Sequence, residues 1–93
     1  MIKSFADKET EKLFNRYFSK KFPPEIQTLA RRKLLIIHAA VSLQDLRVPP
    51  GNHLEALRGN RDGQHSIKIN DQWRICFYWI DGNACDVEIT DYH

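Results

Sequence analysis

His65-Ser66-Ile67-Lys68-Ile69-Asn70-Asp71-Gln72-Trp73-Arg74-Ile75-Cys76-Phe77-Tyr78-Trp79-Ile80-Asp81-Gly82-Asn83-Ala84-Cys85-Asp86-Val87-Glu88-Ile89 decides the fold, because its apolar residues recur with period two, broken by two turn signals. Ile67 and Ile69 alternate with Ser66, Lys68 and Asn70, and Asn70-Asp71-Gln72 reads as a turn. Trp73, Ile75, Phe77 and Trp79 then form one apolar strand face, while Arg74, Cys76, Tyr78 and Ile80 take the other. A strand apolar on both sides belongs in the middle of a sheet. Asp81-Gly82-Asn83 is a hairpin signal. Cys85, Val87 and Ile89 mark the last strand, so the stretch predicts a three-stranded antiparallel meander.

Upstream the period changes. Ile2 to Phe5 alternates and predicts a short first strand. Asp7 is placed to cap a helix whose stripe is Leu13, Phe14, Tyr17 and Phe18, stopped at Phe22-Pro23-Pro24. Pro24 and Glu25 suit the first turn of a second helix, with Ile26, Leu29, Ala30, Leu34, Ile37 and Val41 as its buried face. Asp45-Leu46-Arg47 reads as an extra turn, and Val48-Pro49-Pro50-Gly51-Asn52 as a breaker. Strand, two helices and a meander make an α+β layer, both helices packed on one sheet face, with residues 1–93 as one domain.

Lys plus Arg number 14 against 12 Asp plus Glu, a formal charge of +2. That balance hides an asymmetry: all 14 Lys and Arg lie at or before Arg74, whereas Asp81, Asp86, Glu88 and Asp91 follow it. No apolar run, the Leu34–Ile37 tract included, approaches a membrane span, and the start carries no secretory signal, so the expected location is the cytoplasm. A two-residue loop at Gly82-Asn83 pairs Cys85 with Ile80, and one at Asp81-Gly82 pairs it with Tyr78. Neither sets Cys85 opposite Cys76, which predicts two free thiols. The spacing fits no zinc pattern, and neither a metal nor another cofactor is expected.

Three places could carry chemistry. Arg31-Arg32-Lys33 is either solvated surface or a ridge that contacts phosphates. Asn52 to His65 reads as a loop that gathers His53, Glu55, Arg58 and Arg61. Asp91-Tyr92-His93 places a carboxylate, a phenol and an imidazole in succession, beside the terminal carboxylate. No Gly-rich phosphate loop, Cys–His pair or Ser–His–Asp spacing is present. Arg, His, Asp and Tyr without metal suit RNA cleavage by a 2′-hydroxyl attacking its own phosphodiester. That reaction needs a base, positive charge at phosphorus and an acid for the leaving oxygen.

Met1-Ile2-Lys3-Ser4-Phe5, Leu54-Glu55-Ala56-Leu57-Arg58-Gly59-Asn60-Arg61-Asp62-Gly63 with Ser66-Ile67, Asn70-Asp71-Gln72-Trp73-Arg74-Ile75, and Asp91-Tyr92-His93 together resemble the HigB branch of the RelE superfamily. These are the killer toxins of bacterial type II toxin–antitoxin modules. The resemblance implies a microbial-ribonuclease-like fold, cleavage of messenger RNA in the ribosomal A site, and a HigA-type helix-turn-helix antitoxin through which alone DNA is met. It implies phosphate binding by Arg58 and Arg74, RNA stacking or orientation by Tyr92, and proton transfer by Asp91 and His93, with His93 as base. Arg31, Arg32, Lys33, Arg61 and Lys68 are the further cations expected on nucleic acid. Relatives carry His where Glu55 stands and Lys where Arg58 stands. Glu55 is therefore read as a base or as an ion-pair partner of Arg58, with His53 a substitute. Two rival functions are a ParE-like poison of DNA gyrase and a non-catalytic RNA- or ribosome-binding module.

Overall fold

The computed structural model describes residues 1–91. Helix α1 spans Lys8–Phe14 and helix α2 spans Pro24–Ala39. A four-stranded antiparallel sheet follows, with β1 Glu55–Ala56, β2 His65–Lys68, β3 Trp73–Ile80 and β4 Asn83–Asp91 in that spatial order. Short 3₁₀ turns cover Leu43–Arg47, Pro50–Asn52 and Gly59–Arg61.

The layering matches the α+β expectation. Ile26, Ala30, Leu34 and Ile37 of α2 meet Ile67, Ile75, Phe77, Val87 and Ile89 of the sheet in one core, joined by Leu13 and Phe22. The Trp73, Ile75, Phe77 and Trp79 face is thus the covered one. None of the described helices is long and apolar enough to cross a membrane.

Several local expectations are corrected. Residues 2–5 form only two isolated parallel bridges to β4, Ile2 to Ala84 and Phe5 to Val87, rather than a strand. Helix α1 starts as expected, with Asp7 accepting the Thr10 N–H at 2.7 Å. It stops at Phe14 because Arg16 adopts a positive φ of 71°, and the turn breaks the stripe, leaving Tyr17 and Phe18 exposed. Helix α2 ends at Ala39; Ala40 is already extended, so Val41 leaves the helical phase and stands in solvent. The meander also has a fourth strand: Glu55–Ala56 of the expected loop pairs with His65 and Ser66.

Between β3 and β4 the chain takes the Asp81-Gly82 alternative, with both residues at positive φ and Tyr78 opposite Cys85. Both thiols are free. A bulge then changes the alternation: Tyr78 pairs with Cys85 but Cys76 pairs with Glu88, which inserts one extra residue in β4. Asp86 sits there at φ 50°, its N–H donating to Ser4 Oγ at 2.9 Å. The inward residues are therefore Ala84, Val87 and Ile89, and Cys85 falls on the opposite face from the one expected. Counting from the tight turn without the bulge would pair Ile89 with Arg74. With it, Arg74 pairs with Thr90 and Ile75 with Ile89.

Candidate functional site

The sheet face turned away from the helices collects polar residues in register. One row runs Lys68, Arg74, Thr90, and the next runs Glu55, Ser66, Cys76, Glu88. A cavity of about 240 Å³ opens beside them, lined by His53, Glu55, Lys68, Asn70, Asp71 and Arg74.

Arg74 organises this face. It is a buried arginine, 8% exposed. Its Nε donates to Ser66 Oγ at 2.8 Å, and Nη2 donates to the His53 carbonyl at 2.6 Å. His53 presents that carbonyl from a left-handed conformation, φ 45°, at the end of the Pro50–Asn52 turn. Glu55 Oε1 lies 3.3 Å from the same Nη2. Glu55 therefore pairs with Arg74 and not with Arg58, contrary to the expectation. Strand β1 is the cause, since its pairing with Ser66 sets Glu55 on the Arg74 face.

A second guanidinium, that of Arg61 from the Asn52 to His65 loop, reaches this face. Arg61 donates to Glu88 Oε1 at 3.0 Å and to Thr90 Oγ1 at 3.4 Å, across the strand from Arg74. The Cys76 thiol lies within reach of both charges. Burial pushes its pKa up, against the opposing pull of Arg61, the hydrogen bond to Thr90 and, more weakly, Arg74, so it stays protonated near neutrality. Arg58 stands exposed at the start of the Gly59–Arg61 turn and does not line the cavity.

Lys68 lies in the cavity wall, its Nζ 2.9 Å from Asp71 Oδ1. Asp91 is exposed opposite Trp73 and accepts from Gln72 Nε2 at 3.1 Å, one residue beyond Thr90. Tyr92 and His93, the remaining members of the terminal triplet, lie outside the described residues.

The Arg31-Arg32-Lys33 ridge does not exist as one surface. Lys33 is buried and donates to Asn52 Oδ1, tying α2 to the Pro50–Asn52 turn. Arg31 points into a hollow with Arg16, Tyr17 and Phe18, and Arg32 is exposed. Helical spacing of 100° per residue splits any three consecutive side chains this way. The two other histidines are structural: His38 Nδ1 accepts the Ile2 N–H at 3.1 Å, and His65 stacks on Phe77.

Ser66, Asn70, Asp71 and Thr90 were not singled out by the sequence reading. Counting back from Arg74 across the Asn70-Asp71-Gln72 turn would have placed Lys68 and Ser66 on the Arg74 face. Thr90 depends on the bulge, and the His53 carbonyl on a backbone twist, neither of which the alternation signals.

The chain matches a family described as HigB-like toxin, the RelE-like toxin of type II toxin–antitoxin system HigB, over residues 3–93. It is 41% identical over 93 residues to "Toxin HigB-1" of Vibrio cholerae, covering 99% of this chain and 98% of that protein. It is 32% identical over 93 residues to "Endoribonuclease HigB" of Proteus vulgaris, both covered in full. Among solved structures, the YoeB–YefM complex of Staphylococcus aureus superposes with a TM-score of 0.60 at 18% identity, covering 100% of this chain and 98% of that one. At that identity the likeness concerns the fold.

Proposed function

This chain belongs to the HigB-like branch of the RelE-like toxins of type II toxin–antitoxin systems, and from that premise we propose that it is an endoribonuclease whose phosphate anchor is Arg74. The observation that carries the reading is a nearly buried guanidinium, fixed by Ser66 and His53, at the wall of a polar cavity. The relative in Proteus vulgaris named as an endoribonuclease supports it.

In the proposed reaction the 2′-oxygen forms a bond to the adjacent phosphorus as the bond from phosphorus to the 5′-oxygen breaks. The 2′-hydroxyl proton passes to a base and the 5′-oxygen takes one from an acid, giving a 2′,3′-cyclic phosphate and a 5′-hydroxyl. Arg74, with Arg61 across the strand, supplies charge to the crowded phosphoryl oxygens. His93 as base, Asp91 as its companion in proton transfer and Tyr92 as the base-stacking group complete the scheme. His53 and Glu55 are the alternative proton carriers, and Arg58 and Lys68 meet the flanking backbone. The substrate is messenger RNA in the ribosomal A site, and the controlling partner is a HigA-type antitoxin that alone meets DNA.

Brief induction followed by mapping of transcript ends tests this. Wild type is expected to create new 5′ ends within coding regions, and Arg74→Ala to create none. The same ends at the same yield from Arg74→Ala would overturn the assignment.

A further inference from the structure

Both cations of the cavity already hold an anion from the protein itself. Arg74 faces Glu55 and Lys68 faces Asp71. The exposures within each pair are unequal: the Arg74 side chain is 10% exposed against 55% for Glu55, and Lys68 31% against 99% for Asp71. The cations are therefore built into the wall, whereas the carboxylates stand at its mouth.

Glu55 is not needed to position Arg74. Ser66 Oγ and the His53 carbonyl already fix the guanidinium plane from two sides. What Glu55 adds is a carboxylate at the point where a phosphodiester oxygen would sit, since carboxylate and phosphate accept from guanidinium in the same geometry. An exposed carboxylate on a two-residue edge strand is only weakly held.

We propose that Glu55 is an internal competitor for the phosphodiester on Arg74, swung aside as the RNA backbone enters, and so sets how tightly this chain holds its substrate. The proposal deepens the ribonuclease reading and rests on its choice of Arg74 as anchor.

Inorganic phosphate is the probe, titrated at fixed ionic strength while the Arg74 Nε–H resonance is followed by NMR. Glu55→Gln, which keeps the size and one acceptor oxygen but removes the charge, is expected to tighten phosphate binding about two- to fivefold. Glu11→Gln removes the same charge from the exposed side of α1 and is expected to change nothing. Equal tightening by both variants would reduce the effect to net charge and overturn the proposal. Unchanged or weaker binding in Glu55→Gln would overturn it as well. The readout needs no cleavage: tighter phosphate binding by a protein that cuts no RNA would sink the nuclease and leave the exchange standing.

Discussion

Arg74 and Lys33 are both cations taken out of water, and they differ in what they receive in return. Arg74 has a fork matched by Ser66 and the His53 carbonyl. Lysine offers a point charge that cannot meet both and a phosphate together. Arg74→Lys is therefore expected to keep the circular dichroism of wild type and to lower RNA cleavage about 100-fold, read as initial rate on one transcript. Lys33 has the side-chain oxygen of Asn52. Burial holds its pKa below the ordinary lysine value, with Arg32 pulling in the same direction. The unfolded chain thus keeps this proton to higher pH than the folded one, and its contribution to stability rises with pH until the ordinary value is passed. Urea midpoints compared at pH 8 and pH 10 should show wild type gaining on Lys33→Met. A wild-type-minus-variant difference that stays constant or falls between the two pH values would contradict the buried charge.

At the scale of elements, the period-two pattern was enough for β2, β3 and the hairpin turns, because side-chain alternation is fixed by backbone geometry. It failed where geometry is not periodic. Tyr17 and Phe18 are apolar at helical spacing, yet Arg16 has already turned the chain out of the helix. The bulge at Asp86 had no signal, since Cys85, Val87 and Ile89 alternate plausibly without it. That bulge nonetheless decides whether Thr90 or Ile89 stands beside Arg74. Asp tolerates φ 50° at low cost, and a β-branched residue does not. Asp86→Val is expected to cost about 1–2 kcal/mol by urea denaturation, whereas Asp86→Gly should cost little or stabilise. Equal stability of the two would mean that the bulge relaxes freely. Strand β1 was missed for a different reason: two residues carry no period at all.

For the whole molecule, the sheet separates two kinds of surface. Helices, Tyr17, Phe18, Arg31 and Arg32 lie on one side, and Arg61, Lys68 and Arg74 on the other. The sequence placed all these cations on RNA, but a single strand cannot engage both sides of a sheet at one time. For a non-cleavable 2′-deoxy oligonucleotide, the slope of log K against log salt should shrink in magnitude by about 0.7 for each removed contact. Arg61→Ala and Lys68→Ala are expected to show that loss, and Arg31→Ala and Arg32→Ala to leave the slope unchanged. The reverse pattern would move the RNA to the helical side.

The contacts that close the sheet also govern how the molecule is assembled. Ile2 and Phe5 bridge to Ala84 and Val87, Ser4 receives the Asp86 N–H 82 positions away, and Thr10 Oγ1 receives that of Ile89, 79 positions away. Loops of that length close slowly, on a timescale of milliseconds or longer, whereas helices form within about a microsecond. Stable helices and β4 nonetheless settle together, since a seven-residue helix is marginal until it is packed. Thr90 is drawn up beside Arg74 only once these distant ends have met, so the polar face is completed late in folding.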